Sequence, residues 1–124
     1  MPYRQSLTIL SRMLERGDIG SVELVECFLD RIHRFQDLNA FITVDEEKAL
    51  AQARLSDHLR ASGGSTPLTG LPIAHKDIFC TKSLRTTCGS RMLEHFWSPY
   101  DATVVDNLAK AGTILVGKTN MDEF

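Results

Sequence analysis

Apolar residues recur every three or four positions through the first half of the chain, which is the spacing of an amphipathic helix. Ser6 is placed to cap a first helix, and Gly17 is placed to end it. A second helix is predicted to begin at Ser21, and its apolar stripe consists of Val22, Val25, Phe28, Leu29, Ile32 and Phe35. Thr43 and Glu46 form a capping box ahead of a run of strong helix formers, which predicts a third helix. Residues 1–62 are therefore expected to be a helical segment.

A different pattern follows the small, polar residues 61–67, which are typical of a surface linker. Residues 71–79 predict a buried strand that runs out into a site, and residues 81–99 predict a loop with one short helix near Arg91. Asp101 is placed to cap a helix that Gly112 ends, and residues 113–116 predict a buried strand directly after it. A helix that leads into such a strand is half of a βαβ crossover. Residues 63–124 are therefore expected to hold the first strands of an α/β core.

The composition narrows the classes of function. The chain has 124 residues, of which 43% are hydrophobic and 24% are charged, so disorder is not expected. Fourteen Lys and Arg against sixteen Asp and Glu give a formal net charge of −2, so no overall basic field exists to hold a nucleic acid. The apolar runs reach only about five residues, far below the ~20 needed to cross a bilayer, and no signal-peptide pattern opens the chain. A soluble, cytoplasmic protein is expected.

The cysteines and histidines predict no metal site. The chain has three cysteines: Cys27, Cys80 and Cys88. Their number and spacing fit neither a disulfide framework nor a zinc site, so we interpret them as small apolar side chains in a reducing compartment. The four histidines show no metal-ligand spacing: His33, His58, His75 and His95. We expect His33 and His58 on solvated helix faces, and His75 in packing or in a hydrogen bond on the opposite side of its strand from Lys76.

Lys76 is the most unusual residue of the chain, because it lies among Ile73, Ala74 and Ile78 in a predicted strand. Burial lowers the pKa of a lysine, and a neutral amine can act as a general base. Two other interpretations stay open on the residues alone. The amine could form a salt bridge with Asp77 or another acid, or it could reach past the end of the strand to solvent.

Residues 112–119 match the phosphate-binding pattern G-x-x-x-x-G-K-[ST], but we reject this match. Its four middle residues are those of a strand, and a helix precedes them, whereas a phosphate loop lies between a strand and a helix. Lys118 is then expected to be an ordinary lysine at the end of a strand. Asn120, with Glu123 three residues later, predicts the cap of a further helix.

Two weaker features lie in the predicted loop. Gly89 and Ser90 form a candidate tight turn that could bring a hydroxyl or a backbone N–H near a site. Phe96, Trp97 and Tyr100 form a local aromatic cluster, which we interpret as core or as an anchor of the loop rather than as a surface for base stacking.

Several segments resemble the amidase signature family: residues 39–43 with 46–50, 68–79, 86–90 and 117–124. The resemblance therefore covers nearly the whole chain. It implies an α/β fold in which helices cover both faces of a mixed β-sheet. Residues 1–124 would be the amino-terminal part of one such domain, with residues 1–62 as its helical segment and residues 63–124 as its first strands, site loop and crossover helix.

The resemblance also implies a catalytic device, which consists of a serine nucleophile, a second serine in a cis peptide and a lysine as the final proton acceptor. The lysine of this motif matches Lys76, and Asp77, Ser90 and Asn120 are candidate supporting residues. Both serines and the oxyanion hole follow the 117–124 motif in the family, so they are not expected among these residues. The chain is therefore expected to be inactive by itself.

Within the family, the likeness is to the glutamine-hydrolysing subunits of tRNA-dependent amidotransferases. It implies release of ammonia from glutamine and conversion of Glu-tRNA(Gln) to Gln-tRNA(Gln) in a complex with two partner subunits, B and C. The B subunit would use ATP and Mg²⁺, and no cofactor is expected in this chain. A free-standing amidase of the same family and a fragment without catalytic function are the alternatives.

Overall fold

Residues 1–122 are described by a computed structural model, and they form four α-helices and three β-strands. The helices are α1 (Leu7–Arg16), α2 (Ser21–Arg34), α3 (Glu46–Ala61) and α4 (Thr103–Lys110). The strands are β1 (Phe41–Val44), β2 (Pro72–Lys76) and β3 (Ile114–Thr119). Short 3-10 turns lie at Pro2–Arg4, Gln36–Leu38 and Arg91–Leu93. The predicted α/β class is confirmed.

The residues that cap the first helices agree only in part with the caps predicted from the sequence. Ser6 caps α1 by accepting a hydrogen bond from the backbone N–H of Ile9, and Gly17 ends α1 with a left-handed φ of 75°. The predicted capping box of α3 is wrong, because Asp45 is the N-cap and accepts from Lys48 N. Thr43 lies in β1 instead, since the sheet takes up the residues before α3. Residues 1–62 are therefore not helical throughout.

The predicted cap of α4 is also wrong. Ala102 occupies the N-cap position, and no side chain caps this helix. Asp101 instead accepts a hydrogen bond from Lys82 N at 2.7 Å through Oδ1, so it ties the beginning of the long loop to its end. The expected helix-to-strand connection is present, because α4 leads through Gly112 into β3.

The three strands form one mixed sheet in the order β1-β3-β2. β3 is antiparallel to β1 and parallel to β2, and Lys76 pairs with Thr119 at the carboxyl ends of the parallel strands. The connection from β2 to β3 through α4 is the crossover predicted from the sequence. Residues 114–119 form a strand with a helix before them, so the rejection of the phosphate-binding pattern is confirmed.

Two apolar clusters hold the helices in place. The first joins α2, α3 and β3 through Val25, Leu29, Ala49, Ala53, Ile114 and Val116. The second joins α1 and α2 to the residue before β2 through Leu10, Leu14, Ile19, Leu24 and Leu71. Leu24 is missing from the predicted stripe because α2 packs against both clusters and so buries a wider face than one stripe. The first cluster packs α2 and α3 against β3.

The long loop between β2 and α4 has the predicted short turn at Arg91–Leu93. Its aromatic residues are exposed, with 41% of Phe96, 54% of Trp97 and 61% of Tyr100 accessible, so the expectation that they form core is wrong. Lys48 Nζ lies 5.9 Å from the centroid of the Trp97 ring. None of the helices in residues 1–122 has the length and apolar character needed to span a membrane.

Candidate active site at the ends of strands β2 and β3

The carboxyl ends of β2 and β3 lie side by side, because the two strands are parallel. Lys76 ends β2, and the N–H of Asp77 donates to the carbonyl oxygen of Thr119 at 3.1 Å. Binding groups in α/β sheets collect at the carboxyl ends of parallel strands. Lys76 and Asp77, the candidates that the family resemblance implies, therefore lie at the edge of the sheet where a site is expected.

Asp77 is completely buried, and it has polar partners at both its carboxylate and its backbone. Its Oδ2 accepts hydrogen bonds from Thr87 N, at 3.1 Å, and from Thr87 Oγ1. Its Oδ1 lies 3.2 Å from Lys118 Nζ, and its carbonyl oxygen accepts from Cys88 N at 3.0 Å. Asp77 thus binds the loop that returns at residues 86–88 to the end of β2.

Lys118 is the fully buried lysine at this edge, and it is not the ordinary strand-end lysine that the sequence suggested. Its ammonium donates to Phe79 O at 2.9 Å, to Thr86 Oγ1 at 3.1 Å and to Arg85 O at 3.3 Å. Burial lowers the pKa of Lys118, and the neighbouring Asp77 carboxylate opposes that effect by stabilising the charged amine. The environment predicted for Lys76 is therefore found at Lys118.

Lys76 itself is exposed in the described structure, so the prediction that its neighbours bury the amine is wrong for this chain. Ala74 and Ile78 are exposed as well, whereas His75 and Asp77 are buried, because alternate side chains point to opposite faces and the face of Lys76 is uncovered in residues 1–122. Asp77 pairs with Lys118 and not with Lys76. The arrangement matches the interpretation in which the amine reaches past the strand end, and a catalytic role of Lys76 stays a prediction.

The predicted tight turn is present beside Asp77. Ser90 N donates to Thr87 O at 2.9 Å, and Ser90 is buried with its Oγ accepting from Met92 N at 3.2 Å. A Cβ on Gly89 would lie 2.7 Å from the carbonyl oxygen of Met121, so the turn packs closely on the residues after β3. The turn that carries Ser90 therefore belongs to the same edge as Asp77 and Lys118.

Asn120 makes its contacts on the β1 side of the sheet. Its N–H donates to Ala40 O and its Nδ2 donates to Asn39 O, both at 2.9 Å, and its Oδ1 accepts from Met121 N. These bonds fasten the entry of β1 to the end of β3. Glu123, the other half of the predicted capping box, lies outside the described residues.

The remaining titratable candidates pack as expected from their positions. His75 is buried, and its ring meets the Phe79 ring edge-on with 6.3 Å between centroids. Desolvation lowers the pKa of His75, the charge of Lys118 acts in the same direction, and Asp101 opposes both. His33, His58 and His95 are exposed, the three cysteines are free and partly buried, and no cluster in residues 1–122 is placed to hold a metal ion.

Sequence reasoning missed Lys118 and Thr87. A signal for Lys118 was present, because this lysine directly follows Gly117 in an apolar strand that runs parallel to the strand ending at Asp77. A lysine in a buried central strand needs an acid, and Asp77 was the acid nearest to the end of the neighbouring strand.

Comparison with known proteins identifies the family. The family model described as Amidase matches residues 23–124. The A subunit of glutamyl-tRNA(Gln) amidotransferase from Marinobacter nauticus is 55% identical over 124 residues, which covers 98% of this chain and 25% of the relative. The same subunit from Nitrosomonas europaea is 58% identical over 120 residues, which covers 96% of this chain and 25% of the relative. The chain thus spans about a quarter of the length of these curated relatives.

Solved structures of amidases share the fold. The native peptide amidase from Stenotrophomonas maltophilia superimposes with a TM-score of 0.90 at 30% identity, over 97% of this chain and 25% of that enzyme. Fatty acid amide hydrolase superimposes with a TM-score of 0.84 at 25% identity, over 95% of this chain and 21% of that enzyme. Since the family model matches most of the sequence and these structures follow the same course of the backbone, the chain belongs to the amidase family.

Proposed function

We propose that this chain is part of the glutaminase subunit of a glutamyl-tRNA(Gln) amidotransferase. The two curated relatives described above, both A subunits of that enzyme, are 55% and 58% identical to it, whereas the peptide amidase and fatty acid amide hydrolase are 30% and 25% identical. This difference in identity is the observation that carries the proposal, because the fold alone is shared by amidases that act on other amides.

The proposed reaction is hydrolysis of the side-chain amide of glutamine. A serine hydroxyl attacks the amide carbon and loses its proton through the cis-serine to Lys76, and that proton then passes to the leaving nitrogen as ammonia departs. Water next hydrolyses the acyl-enzyme to glutamate and restores the serine. The exposed amine of Lys76, at the end of β2, is free to meet groups outside the described residues.

The two serines of this mechanism have no match among these 124 residues, so we expect the residues alone to hydrolyse no glutamine. In the complete protein, ammonia would pass to the partner B subunit, which would use ATP and Mg²⁺ to activate Glu-tRNA(Gln), with a small C subunit bridging the two. The net charge of −2 supports this division, because a glutaminase subunit need not hold tRNA itself. The complex would work in the cytoplasm.

The test uses the complete protein together with its partner subunits. Glutamine should yield glutamate and ammonia, and addition of ATP, Mg²⁺ and Glu-tRNA(Gln) should yield Gln-tRNA(Gln). A complete protein that hydrolyses other amides without partners, and that releases no ammonia from glutamine, would instead be a free-standing amidase. A complete protein with no activity on any amide would be a non-catalytic relative.

A further inference from the structure

We propose that Lys118 is a positioning residue for Lys76, because its buried ammonium neutralises the Asp77 carboxylate and ties the turn after Lys76 to the core. The inference rests on the proposed function, in which Lys76 is the general base. Lys118 itself has no exposed surface, so it is not placed to exchange a proton with a substrate or a serine.

Within residues 1–122, the hydrogen-bond and ion-pair partners of the Lys118 ammonium all belong to the segment that follows Lys76. Three hydrogen-bond acceptors and one ion-pair partner surround the amine: Phe79 O, Arg85 O, Thr86 Oγ1 and the Asp77 carboxylate. One ammonium therefore closes the loop of residues 77–86 onto the central strand β3. Since β3 pairs with strands on both sides, the anchor itself cannot shift without breaking the sheet.

The bonds of Asp77 also restrain the backbone of Lys76. Both backbone polar groups of Asp77 are bonded, to Thr119 and Cys88, and its second carboxylate oxygen accepts two hydrogen bonds from Thr87. Lys76 is the residue directly before it, so the backbone from which the Lys76 amine extends is fixed. Catalytic groups that are displaced by about an ångström lose a large part of their effect.

The charge of Lys118 has a second consequence. The Asp77 carboxylate lies one residue from Lys76, and an unpaired carboxylate there would favour the proton-bearing form of a nearby amine. Lys118, at 3.2 Å from Oδ1, cancels that charge. The other titratable or charged groups around this end of the sheet are His75, Cys80, Arg85, Cys88 and Asp101.

The experiment replaces Lys118 in the complete protein, assembled with its partners, by Met and by Gln. Gln removes the charge but keeps an N–H donor for the loop carbonyls. The Gln variant therefore allows the measurement if the Met variant does not fold. Lys110→Met and Lys110→Gln are the matched controls, because Lys110 is exposed and pairs only with Asp106 on α4 among the described residues. Glutaminase kcat, KM and the pH profile of kcat/KM are measured at a temperature where thermal unfolding shows each variant to be folded.

We expect the Lys118 variants to lower kcat at least about tenfold with KM for glutamine within about twofold, and to move the acidic limb of the profile to higher pH. In these variants the Asp77 carboxylate keeps its two Thr87 donors but has lost its counterion. An unmoved limb, with or without a loss of kcat, would mean that Lys118 only supports the fold and would overturn the inference. An inactive wild type, or an active Lys76→Ala variant, would instead contradict the proposed function.

Discussion

Lys118 Nζ lies 3.2 Å from Asp77 Oδ1, and neither side chain is accessible to solvent. A buried ion pair of this kind gains little over an apolar pair of the same size, because both charges lose their hydration. Its importance lies in what happens when one partner is lost, since the other charge then stays buried without compensation. The pair therefore favours a single arrangement of the end of β2 and of the loop that returns to it.

Replacement of Asp77 by Ala should lower the free energy of unfolding by about 3–5 kcal/mol, because it leaves the Lys118 ammonium buried without its acid. Asp106→Ala breaks an exposed ion pair with Lys110 and should lower it far less. Urea unfolding of the complete protein gives both values. Equal effects of the two substitutions would show that burial adds nothing to the Lys118–Asp77 pair.

Lys76→Ala should abolish glutamine hydrolysis by the complete protein with its partners and should leave the melting temperature nearly unchanged. The reason is that the side chain is exposed and Asp77 takes its ion pair from Lys118, so little packing is lost. Lys82→Ala, which removes another exposed lysine of the same region, is the control and should keep full activity. Near-normal turnover of Lys76→Ala would refute its assignment as the base.

Gly70→Ala should destabilise the fold more than Gly17→Ala. Both glycines have a left-handed φ, of 84° and 75°, so the backbone cost of a side chain is similar at the two positions. A Cβ at position 70 would overlap with Ser21 Oγ, whereas a Cβ at position 17 meets nothing within 4 Å. In unfolding experiments, Gly70→Ala should therefore lower the free energy of unfolding by roughly 1–3 kcal/mol more than Gly17→Ala, because overpacking has about that cost. A loss no larger than that of Gly17→Ala would contradict the close contact.

Protonation of His75 should destabilise the protein as the pH falls. Burial lowers the pKa of His75 in the folded state, so between that value and about 6.5 the unfolded chain binds more protons than the folded chain. The contribution of His75 is therefore fully present above about pH 6.5 and is lost as the pH falls through the folded pKa.

Urea unfolding at several pH values between about 8 and about 5 measures this effect, since the window lies below the ordinary histidine pKa. His75→Gln should make the pH dependence flatter than in the wild type, and His58→Gln, at an exposed position on α3, should leave it unchanged. Identical slopes for the wild type and His75→Gln would rule out a proton-linked role of His75.

Residues 1–124 produced by themselves should associate. A groove of about 700 Å³ between α2 and the sheet exposes apolar side chains, including those of Phe41 and Ile73, and both outer strands have open edges. Such surfaces favour self-association. Size-exclusion chromatography at several concentrations and a thermal melt give the answer. A monomer with a sharp, cooperative melt would contradict this expectation.

The sequence predicted well the features that depend on neighbouring residues. The ends of α1, the crossover from α4 to β3 and the turn before Ser90 follow from caps, glycines and periodicity. It failed where a distant partner decides the outcome. Thr43 carries a helix-capping signal, but pairing of β1 with β3 overrides it.

The candidate site shows the same difference between features that depend on neighbouring residues and features that depend on distant partners. Local motifs predicted a strand that runs out into a site and a tight turn at Gly89 and Ser90, and Asp77 and this turn do lie together at the end of β2. The burial of Lys118 and the exposure of Lys76 depend on which face of the sheet the loop covers, which the spacing of residues along the chain does not contain. Lys118 pairs in register with His75 and shares its buried face, whereas Lys76 pairs with Thr119 on the face that is uncovered in residues 1–122.

β3 also lies after both of its partners in the chain. During synthesis, helices α1 to α3 can pack as soon as they leave the ribosome, but β1 and β2 have no strand to bond until residues 114–119 emerge. The nascent chain must therefore keep two unpaired strands in solution while the loop and α4 are translated. The strand that carries Lys118 then pairs with both β1 and β2 and brings the counterion of Asp77 at the same time.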